Sequence, residues 1–226
     1  MEDRTIKDHA VANGPGWGSS KDEIIVLVAR ALAIPNSSGQ GISSILARIG
    51  VAEEEVRSAF GDKESLIVAI AQREAWLISE PLVTWRGGTA EGFARALMKF
   101  GYIAAGEYSR RLIGFVRMMA IEGARYPSLE RKVHDVGPAF VTLKLREFLS
   151  TGNRCGVFAI PDPQLAAEQL MGLLREPLYG ALMSSPTHDA RTRELRALES
   201  VTRFFNGSIL DGTRTSRRPW GPSRPH

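Results

Sequence analysis

Thiol chemistry has almost nothing to work with in this chain: Cys155 is the only cysteine, so neither an intrachain disulfide nor a thiolate-held metal cluster can form. Histidine is nearly as scarce. His9, His134, His188 and His226 stand far apart with no HxH or HxxxH spacing, so no metal site and no cofactor is expected. Long hydrophobic runs are missing as well. The most apolar stretches, 24–32 and 113–121, are interrupted by Arg30 and Arg117 and fall short of a bilayer's thickness. Residues 1–20 carry acids beside bases and no apolar segment, unlike an export signal; the expected location is the cytoplasm, with no membrane partner. Strict apolar–polar alternation is also absent, and the one β-leaning stretch, 157–160, is short and bounded by Gly156 and Pro161. Gly39-Gln40-Gly41 and Gly14–Gly18 do not follow strands, so neither is a phosphate loop. With no nucleophile elbow and no nucleophile beside a histidine, an enzyme is not expected.

What is present is the composition of a globular protein, 43% hydrophobic and 24% charged, with helical periodicity almost throughout. The Gly-Pro-Gly and Ser-rich residues 1–20 read as a disordered leader. Ile24, Ile25, Leu27, Val28, Ala31 and Leu32 then form one apolar stripe that Pro35 ends. Ile42, Ile45, Leu46 and Ile49 give a short second helix that stops at Gly50. Val56, Ala59 and Phe60 supply the inner face of a third, over 53–60, with Phe60 expected to be buried between helices two and three. Three short helices with a glycine turn before the last describe a helix-turn-helix. A longer helix opens at Lys63 and Glu64 and runs to Pro81, followed by helices over about 90–106, 109–125, 128–150, 162–184 and 189–209. The fold class is therefore all-α: residues 21–66 form a helix-turn-helix domain, 67–210 a larger helical domain, and 211–226 a disordered basic tail.

The net charge of +4 points to a polyanionic partner, but its location qualifies that. Arg214, Arg217, Arg218 and Arg224 against Asp211 leave the tail at +3, while residues 21–63 are at −1 because of Asp22, Glu23, Glu53, Glu54, Glu55 and Asp62.

The stretch Ile45-Leu46-Ala47-Arg48-Ile49-Gly50-Val51 with Val56, Phe60, Lys63, Glu64 and Leu66 resembles the helix-turn-helix and connecting helix of the TetR family. Phe115-Val116-Arg117 through Glu122, Arg125-Tyr126-Pro127-Ser128-Leu129, Gly137-Pro138, Pro161-Asp162-Pro163 and Ala166-Ala167 resemble the C-terminal domain of its AefR-like subgroup. The resemblance implies a homodimer that grips two half-sites of a double-stranded DNA operator, the recognition helix lying in the major groove, and a core pocket where an unidentified small-molecule effector changes the spacing of the two heads. Carried over by position, it implies that Ser43 and Ser44 touch phosphate, that Glu53, Glu55, Arg57 and Ser58 face the groove, and that Lys63, with Arg48, meets the backbone. Departures from the family pattern are concentrated in the recognition helix. Ala52 stands where Ser or Thr caps that helix, Glu54 where Gly is usual, and Arg57 where Tyr is usual. Three consecutive carboxylates facing a polyanion oppose binding; at the start of a helix they also complement its dipole and can stand in for the missing cap.

Tyr102, Phe115, Met118, Met119 and Tyr126 are candidates to line the effector pocket, with Glu122 a carboxylate inside an apolar run that must pair with a cation or face a cavity. Arg117, Arg125 and Lys99 are its possible partners. Leu165, Leu170, Leu173, Leu174 and Leu178, then Leu195, Leu198, Val201, Phe204 and Phe205, give the last two helices apolar faces suited to a four-helix dimer interface. Two readings are compatible with these residues: an effector-released DNA-binding repressor, and a dimeric sensor or interaction protein of the same fold with weakened or lost operator binding.

Overall fold

The helical periodicity resolves into ten α-helices among the residues that the computed structural model describes, which are 19–34, 40–105, 107–183 and 190–208. In chain order they are α1 (Ser19–Leu32), α2 (Ile42–Ile49), α3 (Glu53–Phe60), α4 (Lys63–Val83), α5 (Ala90–Ala105), α6 (Glu107–Glu122), α7 (Leu129–Val136), α8 (Pro138–Arg154), α9 (Pro163–Met183) and α10 (Ala190–Ser208). No β-strand forms among the described residues, and the all-α expectation holds. The leader up to Gly18, the tail 211–226 and Pro35 lie outside the described residues.

Four details differ from the sequence reading. Ser19 and Ser20, assigned to the leader, begin α1. Helix α4 continues past Pro81 to Val83, although proline has no N–H to give the Leu77 carbonyl. The single helix expected over 128–150 is two, because Gly137 takes a non-helical conformation and Pro138 opens α8 at a first-turn position, where a missing N–H costs nothing. Phe60 is half-buried at the edge of the first core rather than sealed between α2 and α3, with the Lys21 ammonium 5.5 Å from its ring centroid.

Two apolar cores hold the helices. The first joins Ile25, Val28 and Leu32 of α1, Ile42, Ile45 and Leu46 of α2, Val56 of α3 and Leu66, Ile67 and Ile70 of α4. It does not close on these helices alone, since Phe115 and Met118 of α6 and Leu129 of α7 complete it. The second core centres on Phe93, whose ring packs against Trp85, Phe148 and Phe158 at centroid distances of 4.1, 5.0 and 5.2 Å. Phe158 reaches it from the 157–160 segment by sitting on Gly152, where an added Cβ would overlap its ring. That segment, short of a strand, is held by the Asn153 side chain, which donates to the Ile160 carbonyl at 2.7 Å and accepts from the Ile160 N–H at 3.1 Å. No helix among the described residues is long and apolar enough to cross a membrane.

Candidate DNA-reading head and effector cavity

The turn between α2 and α3 is set by Gly50, whose φ of +74° lies in the left-handed region that glycine enters without a Cβ penalty. Its N–H donates to the Ala47 carbonyl and that of Val51 to the Leu46 carbonyl, closing the end of α2. Val56 then anchors α3 inward, which leaves Glu53, Glu54, Glu55, Arg57 and Ser58 exposed on one outer surface.

Two of the three carboxylates on that surface are already engaged. The Glu55 carboxylate reaches back to accept from the Ala52 N–H at 2.8 Å, one half of a capping box whose other half Ala52, without a side-chain oxygen, cannot supply. Glu53 pairs with the Lys63 ammonium, whose hydrogen bond and charge hold its carboxyl below the usual carboxylate range. The same ammonium donates to Ser43 Oγ at 3.0 Å, so Lys63 ties α4 to the starts of α2 and α3 together. Glu54 makes no hydrogen bond or ion pair with the described residues. Ser44 is exposed on α2, and Arg48 donates to the Ala31 carbonyl at 3.1 Å, bracing the end of α1.

The start of α2 has no cap of its own, because its N-cap residue is Gly41. The cap comes from the other end of the chain's fold. Glu122, the last residue of α6 and fully buried, accepts from the Ile42 N–H at 2.7 Å, and Arg125 approaches the same oxygen at 3.4 Å. A Cβ at Gly41 would overlap that oxygen, so the glycine is what lets the carboxylate in. Glu122 was expected either to face a cavity or to pair with Arg117, Arg125 or Lys99; it pairs with Arg125 and also takes a backbone N–H 80 residues away, which no local pattern announces. About two turns earlier, α6 lies directly on α1: a Cβ at Gly114 would overlap the Leu32 carbonyl oxygen.

Between these helices is a cavity of about 480 Å³, within the range of small-molecule sites. Its walls come from α1 (Ala29, Leu32), α4 (Ile70 to Ile78), α6 (Arg111 to Met119), α7, the start of α8 and α9 (Met171, Leu174, Arg175). Of the residues expected to line it, Phe115 and Met119 do. Met118 is buried in the first core, Tyr126 packs at that core's edge, Glu122 caps α2, and Tyr102 is 54% exposed, so none of these four lines the cavity. Spacing alone could not separate them: on α6 the stripe that fills the core and the stripe that faces the cavity are adjacent. The residue that sequence reasoning missed is Glu74 of α4. Burial among apolar walls raises its carboxyl above the usual range, a shift only partly offset by Arg111 and Arg73, whose nearest nitrogens are 3.6 and 3.7 Å away. A lone acid on an amphipathic helix gives no signal of this in the sequence.

The helix-turn-helix is thus braced against a helix that also walls a ligand-sized cavity. Residues 96–207 match the family model described as the AefR-like transcriptional repressor, C-terminal domain. Solved structures share the fold at low identity. A TetR-family transcriptional regulator from Mesorhizobium loti is 20% identical with a TM-score of 0.63, covering 84% of this chain and 97% of its own. The fatty acid degradation regulator FadR from Bacillus halodurans is 17% identical with a TM-score of 0.64, at 85% and 97% coverage. The flavonoid-responsive regulator FrrA is 22% identical with a TM-score of 0.52, at 85% and 98%. No curated protein matches the chain. Residues 96–207 therefore carry the C-terminal domain of the AefR-like repressors of the TetR family, and the chain has the fold of TetR-family transcriptional regulators.

Proposed function

We propose that the protein is a dimeric, cytoplasmic repressor that leaves its operator when a small organic effector fills the cavity. One observation carries the reading: α6 walls the cavity with Phe115 and Met119 and, at its end, caps the first helix of the helix-turn-helix through Glu122 and the Ile42 N–H. A ligand that shifts α6 therefore changes the placement of α2, and with it α3. The names of two fold relatives, one flavonoid-responsive and one a fatty acid degradation regulator, support an effector of small organic type. Engagement of Glu53 and Glu55 within the protein reduces the repulsion that the acidic triplet sets against DNA and favours operator binding over its loss.

In this reading Ser43 and Ser44 meet phosphate, Arg57 and Ser58 face the major groove with Glu53 and Glu55 beside them, and Lys63 meets the DNA backbone while keeping its ion pair with Glu53. Arg48 serves the head indirectly by holding α1. Few cations reach the backbone, so binding should lose little between low and moderate salt. The test is selection from random duplex DNA at two salt concentrations, followed by titration of the Arg57→Ala variant. Enrichment of a two-fold symmetric site, weakened by the substitution, is expected; no enrichment at low salt would leave the dimeric-sensor reading in its place.

A further inference from the structure

Resting on the effector reading of the cavity, we propose that its ligand is an uncharged molecule, apolar over most of its length, that carries a hydroxyl group donating a hydrogen bond to Glu74. The cavity is apolar over most of its wall, with Ile70, Ile78, Phe115, Met119 and Leu174 among its faces, so a ligand gains mainly by burying hydrocarbon or aromatic surface. Glu74 interrupts that wall. Both its carboxylate oxygens are shielded from solvent, and neither accepts a hydrogen bond from the described residues. Arg111 and Arg73 lie at ion-pair distances of 3.6 and 3.7 Å, too long to count as hydrogen bonds. Buried polar atoms in folded proteins are nearly always satisfied, so the lone pairs on these two oxygens mark where the occupant's donor sits.

Charge narrows the class further. Charges of both signs line the cavity, Glu74 and Glu130 against Arg111 and Arg175, so an ionic ligand of either sign would face like charge within it. A hydroxyl donor suits Glu74 whether the carboxyl is ionised or protonated, because an acceptor oxygen is present in both states. A site built to take such a donor discriminates sharply against an analogue that lacks it.

Calorimetric titration of the full-length protein with three matched probes tests this: 4-hydroxystilbene, 4-methoxystilbene and stilbene-4-carboxylate. The hydroxyl probe should bind at least ~10-fold more tightly than either of the others. In the Glu74→Leu variant that preference should disappear while affinity for the methoxy probe is kept. Equal binding of hydroxyl and methoxy probes, tightest binding of the carboxylate, or a preference that survives in Glu74→Leu would each overturn the proposal while leaving the cavity as an effector site. Binding of none of the three would overturn the cavity reading itself, and the proposal with it. Should Glu74→Leu fail to fold, the three-probe comparison on the unaltered protein still decides.

Discussion

Glu122 sits where two helices with separate duties meet, and its removal has a definite cost. Glu122→Ala leaves the buried Ile42 N–H without its acceptor, a loss of about 1–3 kcal/mol from a missing cap and an unsatisfied donor. Urea denaturation should read that loss with the helical signal of the native state unchanged, and Glu122→Gln, which keeps a carbonyl acceptor, should recover most of it. Equal stability of the alanine variant and the parent would show that the bond contributes nothing. Glu74 behaves in the opposite sense. Because burial raises its folded pKa above the ordinary 4.5, the stability associated with its proton is complete below that value and is lost as pH rises through the folded pKa. Glu74→Gln removes the titration, so thermal melts should show the variant gaining on the parent as pH rises above about 4.5. A difference that stays constant with pH would mean that the carboxyl does not titrate out of its usual range.

At the scale of helices, α6 depends on a close approach to α1. Gly114→Ala places a methyl group against the Leu32 carbonyl, where backbone cannot yield as a side-chain tip can. A loss of about 1–3 kcal/mol is expected from overpacking, measured by thermal unfolding, together with weaker operator binding as the head loses its brace. The helices themselves were legible from apolar spacing and from glycine and proline punctuation; α2, α3 and their turn match to the residue. The break at Gly137-Pro138 was visible as two residues, yet Pro138 opens a helix and Pro81 lies inside one, so proline alone fixes neither boundary. Contacts between distant elements were not legible. Glu122 on Ile42, Gly114 on Leu32 and Lys63 across Ser43 and Glu53 each follow from how helices cross, which periodicity within one helix does not encode. Glu55 on Ala52 was closer to hand, because a carboxylate three residues after a helix start is a local pattern.

At the scale of the whole molecule, α9 and α10 keep part of their apolar faces outside. Leu170, Leu174 and Val201 fill the second core, whereas Leu165, Leu173 and Leu195 are 50%, 52% and 60% exposed. The side chain of Leu178 lies outside the described residues. The outward leucines suit the proposed two-fold contact, where the same patch meets its own copy. Leu173→Glu combined with Leu195→Glu should give a folded monomer by sedimentation at micromolar concentration, and with it the loss of operator binding, since each half-site alone holds weakly. A persisting dimer would move the interface elsewhere.

The cavity wall includes Ala29 and Leu32 of α1, which belong to the proposed DNA-reading head rather than to the proposed sensing domain, and this links occupancy to the head's own opening. Any molecule that binds only when α1 is docked raises the free energy of undocking it, by about 2.7 kcal/mol at a hundredfold excess over its Kd. Amide hydrogens of α1 should then exchange with deuterated solvent more slowly when the cavity is filled, by up to ~100-fold under those conditions. The head would leave its operator in a stiffer state than the one in which it was bound, and release would come from the fixing of one geometry instead of from melting.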